Sequence, residues 1–172
     1  MSSNNNSPAG IDPRGPRFGA GITLTLLTAT LVLLLGESSG ISLSNSITQN
    51  ALAPATLLLA FITVVFAIGA FAGIAHHPYG FLFKKLIRPR LSAPEELEAP
   101  QPPTFAQLIG FVISLAGLIL ALTGIVLGAI IAVAFAFVAA FLNTVFGYCL
   151  GCQIYILLSR AGIVGRIKTA TH

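Results

Sequence analysis

Residues 105–159 read FAQLIGFVISLAGLILALTGIVLGAIIAVAFAFVAAFLNTVFGYCLGCQIYILLS, 55 positions without one Asp, Glu, Lys or Arg. A soluble chain carries charge on about a quarter of its residues, so a run of this length has no place in water. About 20 apolar residues in a helix cross a hydrocarbon core about 30 Å thick. The run is therefore long enough for two crossings, with a tight turn expected near residues 124–129. Barrel strands alternate apolar and polar side chains, whereas this stretch is continuously apolar, and helices are the expected form.

The rest of the chain agrees. Of 172 residues only 8% are charged and 55% are hydrophobic, with a mean hydropathy of +0.91, which excludes an ordinary soluble fold. Two further apolar runs, 18–35 and 52–75, bring the expected spans to four: 18–35, 52–75, 105–125 and 129–158. Pro54 falls in the first turn of the second run, where a missing N–H is tolerated. A cleaved signal peptide is not expected at the first run, because no small-x-small site follows it. Residues 1–15 are polar, rich in Ser, Asn, Pro and Gly, and are read as a disordered tail. Residues 161–172 form a basic tail.

Between the second and third spans, His76-His77-Pro78 leads into an amphipathic stretch, 81–91, in which Phe and Leu alternate with Lys84, Lys85, Arg88 and Arg90. These four cations are expected at a membrane interface, followed by an extended proline-rich connection over 92–103. Every Lys and Arg lies in the N-terminal tail, in this segment or in the C-terminal tail. The positive-inside rule then places both termini in the cytoplasm of a plasma (inner) membrane protein. The net charge of +4 thus reflects topology, and no nucleic-acid partner is expected.

Small residues recur along the third run at Gly110, Ser114, Gly117, Ala121, Gly124 and Gly128. The fourth carries Ala132, Ala136, Ala139, Asn143, Gly147 and Gly151. Such seams let helix backbones approach closely, which is how packing competes when lipid is as apolar as Leu. The fold expected is an all-α membrane protein, a compact left-handed four-helix transmembrane bundle with a short interfacial helix between spans two and three. Asn143, the lone strongly polar side chain within the spans, is expected to hydrogen-bond across helices.

The two cysteines, Cys149 and Cys152, stand three residues apart. On one helix their Cα atoms would lie about 5 Å apart, inside the disulfide window, and on the face opposite Gly147 and Gly151. They can close a disulfide, exchange thiols with a partner, pack as inert small residues or share a metal. Two thiols alone do not complete a structural zinc site, so no metal and no cofactor is expected. Attack requires a thiolate, which an apolar site disfavours unless a cation or helix N-terminus is near. A helix break at Gly147 would supply the latter. A lasting structural disulfide is not expected in a cytoplasmic setting, which keeps most thiols reduced. His76 and His77 read as an interfacial cap.

Three motifs occur in order: IDPRGPRF at 11–18, PYGxLF at 78–83 leading to RPRL at 88–91, and FGxCxGCxIY at 146–155. On these the chain resembles, over residues 11–160, an uncharacterised family of bacterial integral membrane proteins, common in actinobacteria and known as a domain of unknown function. The resemblance implies a four-span inner-membrane protein with a terminal cysteine pair, sometimes encoded beside thioredoxin-like or sulfurtransferase proteins. Cys149 and Cys152 are thus the candidate catalytic residues of a thiol-disulfide or sulfur relay. Expected partners are the lipid bilayer and a thioredoxin-like or sulfurtransferase protein. The alternatives are a non-catalytic subunit of a larger membrane complex and, third, a small-molecule transporter.

Overall fold

A computed structural model describes residues 10–38, 46–94 and 96–163. Seven α-helices follow in order: α1 (Arg14–Ser38), α2 (Ile47–Leu52), α3 (Pro54–Phe71), α4 (Pro78–Leu82), α5 (Gln101–Leu122), α6 (Val126–Phe146) and α7 (Leu150–Arg160). Four of them, α1, α3, α5 and α6, are long and apolar enough to cross a membrane. The chain is an all-α membrane bundle in which α1 packs on α3, α3 on α5, α5 on α6 and α6 back on α1.

The core is a column of aliphatic and small side chains: Leu27 and Leu34 of α1, Ala55, Leu59 and Ile62 of α3, Ala121 of α5, and Ala129, Val133 and Ala136 of α6. Large apolar residues such as Phe135, Leu57 and Val112 point outward, the reverse of a soluble protein and the arrangement a lipid solvent requires. The buried Thr30 and Thr63 and the partly buried Thr144 each donate to the carbonyl four residues back, at 2.8–2.9 Å, the usual bond for Ser and Thr within helices.

The α5 seam faces inward. A Cβ on Gly110 would stand 2.5 Å from the Phe66 ring, and one on Gly117 would stand 3.2 Å from Ala132 and 3.5 Å from Leu59. Gly124 lies beyond the seam, in the α5–α6 turn, with φ of 79°. Its N–H donates to the Ala121 carbonyl and that of Ile125 to the Leu120 carbonyl, a Schellman closure that favours glycine at the left-handed position.

Several boundaries differ from the sequence reading, each for a local reason. The second span, expected over 52–75, is α3 alone: Pro54 starts it, and Gly73 at φ 84° turns the chain into a 3-10 turn, Ile74–His76. The amphipathic stretch begins earlier, at Pro78. It continues through a π turn, Phe83–Ile87, and tightens to a 3-10 turn, Arg88–Arg90, around Pro89, which has no N–H to give an α-helix. Helix α5 starts at Gln101, taking Pro102 and Pro103 into its first turn, where the extended connection was expected to continue. Residues 10–15 belong to the fold and not to the tail. The fourth span, expected as one helix over 129–158, is divided into α6 and α7 by Gly147. Residues 1–9, 39–45 and 164–172, including most of both expected tails, lie outside the described residues.

Candidate functional site

The functional candidates gather where α1 begins and α6 ends, called here the basic end. Gly147 stops α6 in the left-handed conformation, φ 67°, and its N–H donates to the Asn143 carbonyl at 3.0 Å. Asn143 therefore enters the site through its backbone. The chain then turns through Tyr148, and Cys149 takes up the N-cap position of α7 with extended backbone, φ −85° and ψ 99°. Its Sγ accepts the Cys152 N–H at 3.3 Å. The same Sγ is bonded to that of Cys152, across a Cα separation of 5.2 Å. Both cysteines are partly exposed. No group of three or more His, Cys, Asp or Glu side chains able to hold a metal occurs among the described residues.

Helix α7 has 11 residues, about half the length needed to cross a bilayer. It lies against the first turns of α5. A Cβ on Gly151 would stand 2.6 Å from that of Ala106, so only glycine lets the two backbones come this close. Tyr155 adds a ring contact with Phe105, centroids 5.5 Å apart. Gln153, Ile154, Leu157 and Arg160 face outward. Gly151 thus packs on a neighbouring helix, whereas Gly147, expected beside it on the same face, is the residue that ends α6.

The first motif reaches the same place from the other end of the chain. Arg17, near the start of α1, donates from Nε to the Thr144 carbonyl at 2.9 Å and from Nη2 to the Val145 carbonyl at 3.0 Å. These are two of the last carbonyls of α6, which have no partner within the helix. The guanidinium also lies 3.8 Å from where a Gly147 Cβ would stand, two residues before Cys149. A cation thus sits close to the cysteine turn, although none is near it in sequence.

Ahead of Arg17, Asp12 accepts from the Arg14 backbone N–H at 3.0 Å and from Arg14 Nε and Nη2 at 2.9 and 2.8 Å. These bonds hold the Asp12 carboxyl below its ordinary range, and burial opposes them only in part. Arg14 also donates to the Ser92 carbonyl, and Ile11 pairs with Glu98 through two backbone bonds of 2.9 Å. The N-terminal segment is thereby strapped to the 92–98 connection.

The second motif packs under this strap. A Cβ on Gly15 would meet the Phe83 ring at 3.4 Å and one on Gly19 would meet Tyr79 at 3.5 Å, so both glycines form a seat for PYGFLF. Lys84, Lys85, Arg88 and Arg90 are exposed, and Phe83 just before them is buried. His76 caps the Ala72 carbonyl at 2.8 Å. His77 instead turns inward, 4% exposed, and its Nδ1 accepts the Tyr79 N–H at 3.3 Å. Burial pushes the imidazole below its ordinary value, offset in part by the Gln107 amide. His77 rests beside Gly69 of α3 and Gln107 of α5, and α7 rests on Ala106 of α5. Neighbouring helix positions point about 100° apart, and the imidazole and the cysteines are held by different sides of α5.

Sequence reasoning missed Asp12, Arg17, His77 as a buried group, and Gln107. Only the first two carried a signal, as members of the IDPRGPRF motif.

A family model described as "Domain of unknown function (DUF4395)" matches residues 11–160. The match starts at the Ile11–Glu98 bridge, ends with α7, and includes all three motifs. No curated protein and no solved structure matches the chain.

Proposed function

The chain belongs to that family of unknown function, and from its site we propose that it is a thiol-disulfide relay of the plasma membrane, with both termini cytoplasmic. The partner is a cytoplasmic thioredoxin-like or sulfurtransferase protein. The observation that carries this reading is the joint placement of the cysteines: bonded to each other, partly exposed, and set at the first turn of a helix that starts only at Leu150. A helix N-terminus carries about half a positive charge and favours the thiolate over the thiol. Arg17 adds a full cation close by. Charge bias along the chain supports the cytoplasmic placement of the basic end.

The exchange balances without a cofactor. In the reduced protein the Cys149 thiolate attacks a partner disulfide, forming a mixed disulfide and releasing one partner thiolate. Cys152 gives up its proton and attacks Cys149 Sγ, which releases the partner's second thiolate and closes the Cys149–Cys152 bond. Two electrons and two protons pass to the partner, and the reverse sequence reduces the protein. Cys149 is the attacking thiol because its Sγ occupies the N-cap position, and Cys152 is the resolving one.

The subunit reading relied on small-residue seams available to another protein. Gly110, Gly117 and Gly151 are instead used inside the chain, against Phe66, Leu59, Ala132 and Ala106, which favours the relay. The transporter reading has no charged group within the membrane to move an ion. The test is a Cys152→Ser variant in native membranes, quenched with acid and alkylated. A mixed disulfide between Cys149 and a dithiol protein supports the relay, and a stoichiometric large partner without one supports the subunit reading.

A further inference from the structure

A cavity of about 180 Å3 lies between the start of α1, the 74–88 segment and α5, with α7 taking no part in its lining. An enclosed cavity of about 150 Å3 admits benzene, so the space suits a body of one small ring. Its walls are bare or apolar, built from Gly15, Gly19, Gly80, Ile74 and Phe83.

Its polar groups are arranged by depth. His77 and Gln107 are the inner ones. The Gln107 Oε1 is buried and completes no hydrogen bond. Because Nδ1 of His77 accepts the Tyr79 N–H, the neutral ring carries its proton on Nε2, and the ring interacts with the Gln107 amide. This neighbouring donor and acceptor, beside an apolar space, suit a hydroxyl inserted between them, which gives one hydrogen bond and takes another. Lys84 and Arg88 are the exposed charged residues of the lining. The Asp12 carboxylate also lines the cavity, and it is already engaged by Arg14. The rim is left with two cations and no unneutralised carboxylate among the described lining residues.

We propose that this cavity binds a small hydroxyl-bearing organic anion, its hydroxyl between His77 and Gln107 and its acid group at Lys84 and Arg88. A free hydroxy acid and the glycerol phosphate head of an anionic lipid share this chemistry. The site is separate from the cysteine pair, and its binding stands or falls independently of the relay.

The test is calorimetric titration of the full chain with 4-hydroxybenzoate and with glycerol 3-phosphate, in micelles free of phospholipid. Saturable binding is expected for at least one. Benzoate and 4-hydroxybenzyl alcohol, which each lack one of the two groups, bind at least about ten-fold more weakly than 4-hydroxybenzoate. The Lys84→Ala/Arg88→Ala variant, altered only at exposed positions, loses the preference for the acid, and Arg88→Lys keeps it. Gln107→Leu loses the preference for the hydroxyl. Repeating the titration in nanodiscs separates the sources: phosphatidylglycerol displaces the probe if the ligand is a headgroup and leaves it bound if the ligand is a free acid. Absence of saturable binding by both probes overturns the proposal, as does binding that the rim variant leaves unchanged.

Discussion

The two ends of the bundle close the same physical gap in different ways. Every helix ends with carbonyls that have no partner of their own. At the end where α5 turns into α6, the solution is neutral: a Schellman turn at Gly124, plus the Asn50 amide of α2, 72 residues away in sequence, which donates to the Leu122 carbonyl at 3.1 Å. At the basic end the carbonyls of α6 are met by a guanidinium from α1, 127 residues away in sequence. Around it are added a strap, a cavity with a basic rim, a docked helix and a disulfide. Closing a helix requires none of these additions. On the relay proposal the contrast is between a structural terminus and a functional one, and it can be broken or sharpened by substitution.

The largest effect is expected at the α7 seat. Gly151→Val would force a side chain into Ala106, where a Cβ alone stands 2.6 Å away. Overpacking of this kind costs about 1–3 kcal/mol, enough to lift an 11-residue helix off α5. Maleimide should then label the reduced cysteines faster while the four spans stay assembled, as read by size exclusion. Unchanged labelling would show that α7 is not held by this contact.

Next come the caps. Arg17→Ala removes two charge-assisted bonds, a loss of about 1.5 kcal/mol, and it should also slow alkylation of Cys149 by withdrawing a nearby cation. Asn50→Ala removes one neutral bond, a loss of about 1 kcal/mol, and should leave the alkylation rate unchanged. Thermal unfolding in detergent reads the first difference and alkylation kinetics the second. Equal effects of the two substitutions on Cys149 would erase the distinction between the ends.

The smallest effects are pH-dependent. His77 has its folded value pushed below the ordinary value of 6.5 by burial, so folding favours the neutral ring. Its contribution is present above that ordinary value and is lost as pH falls through it toward the folded one. Stability should decline from pH 7.5 to 5.5, and His77→Gln should flatten that decline. Asp12, lowered by Arg14, contributes above its ordinary value of 3.8 and loses the contribution on further acidification. Asp12→Asn should remove that acid limb only. A slope unaltered by both substitutions would place the titrating groups elsewhere.

The four spans were legible because lipid leaves a chain few options. Without water, backbone groups must be paired within a helix or a closed barrel, and continuous apolar runs such as 105–159 select the helix. The boundaries were less legible. Gly147 lies in a run as apolar as any other, and glycine is common within membrane helices, so a seam position and a stop could not be told apart by composition. Gly110 and Gly147 look alike in sequence; one is closed over by Phe66 and the other has φ of 67°. Register between distant segments was not legible at all. Nothing in IDPRGPRF announces that Arg17 reaches Thr144 and Val145, or that Gly15 and Gly19 seat the PYGFLF segment, because those contacts depend on how α1 is placed beside α6 and α4. The cysteine spacing was readable, and the group that could activate it was not, since that group comes from the opposite end of the chain.

The central claim is that Cys149 and Cys152 change redox state in the cell. The most direct measurement is acid quenching of intact cells followed by a mass-tagging alkylator that counts free thiols in this protein. The relay predicts a mixture of states that shifts toward the dithiol under reductant and toward the disulfide under mild oxidant, and returns on removal of either. A pair that stays in one state through both challenges would contradict it.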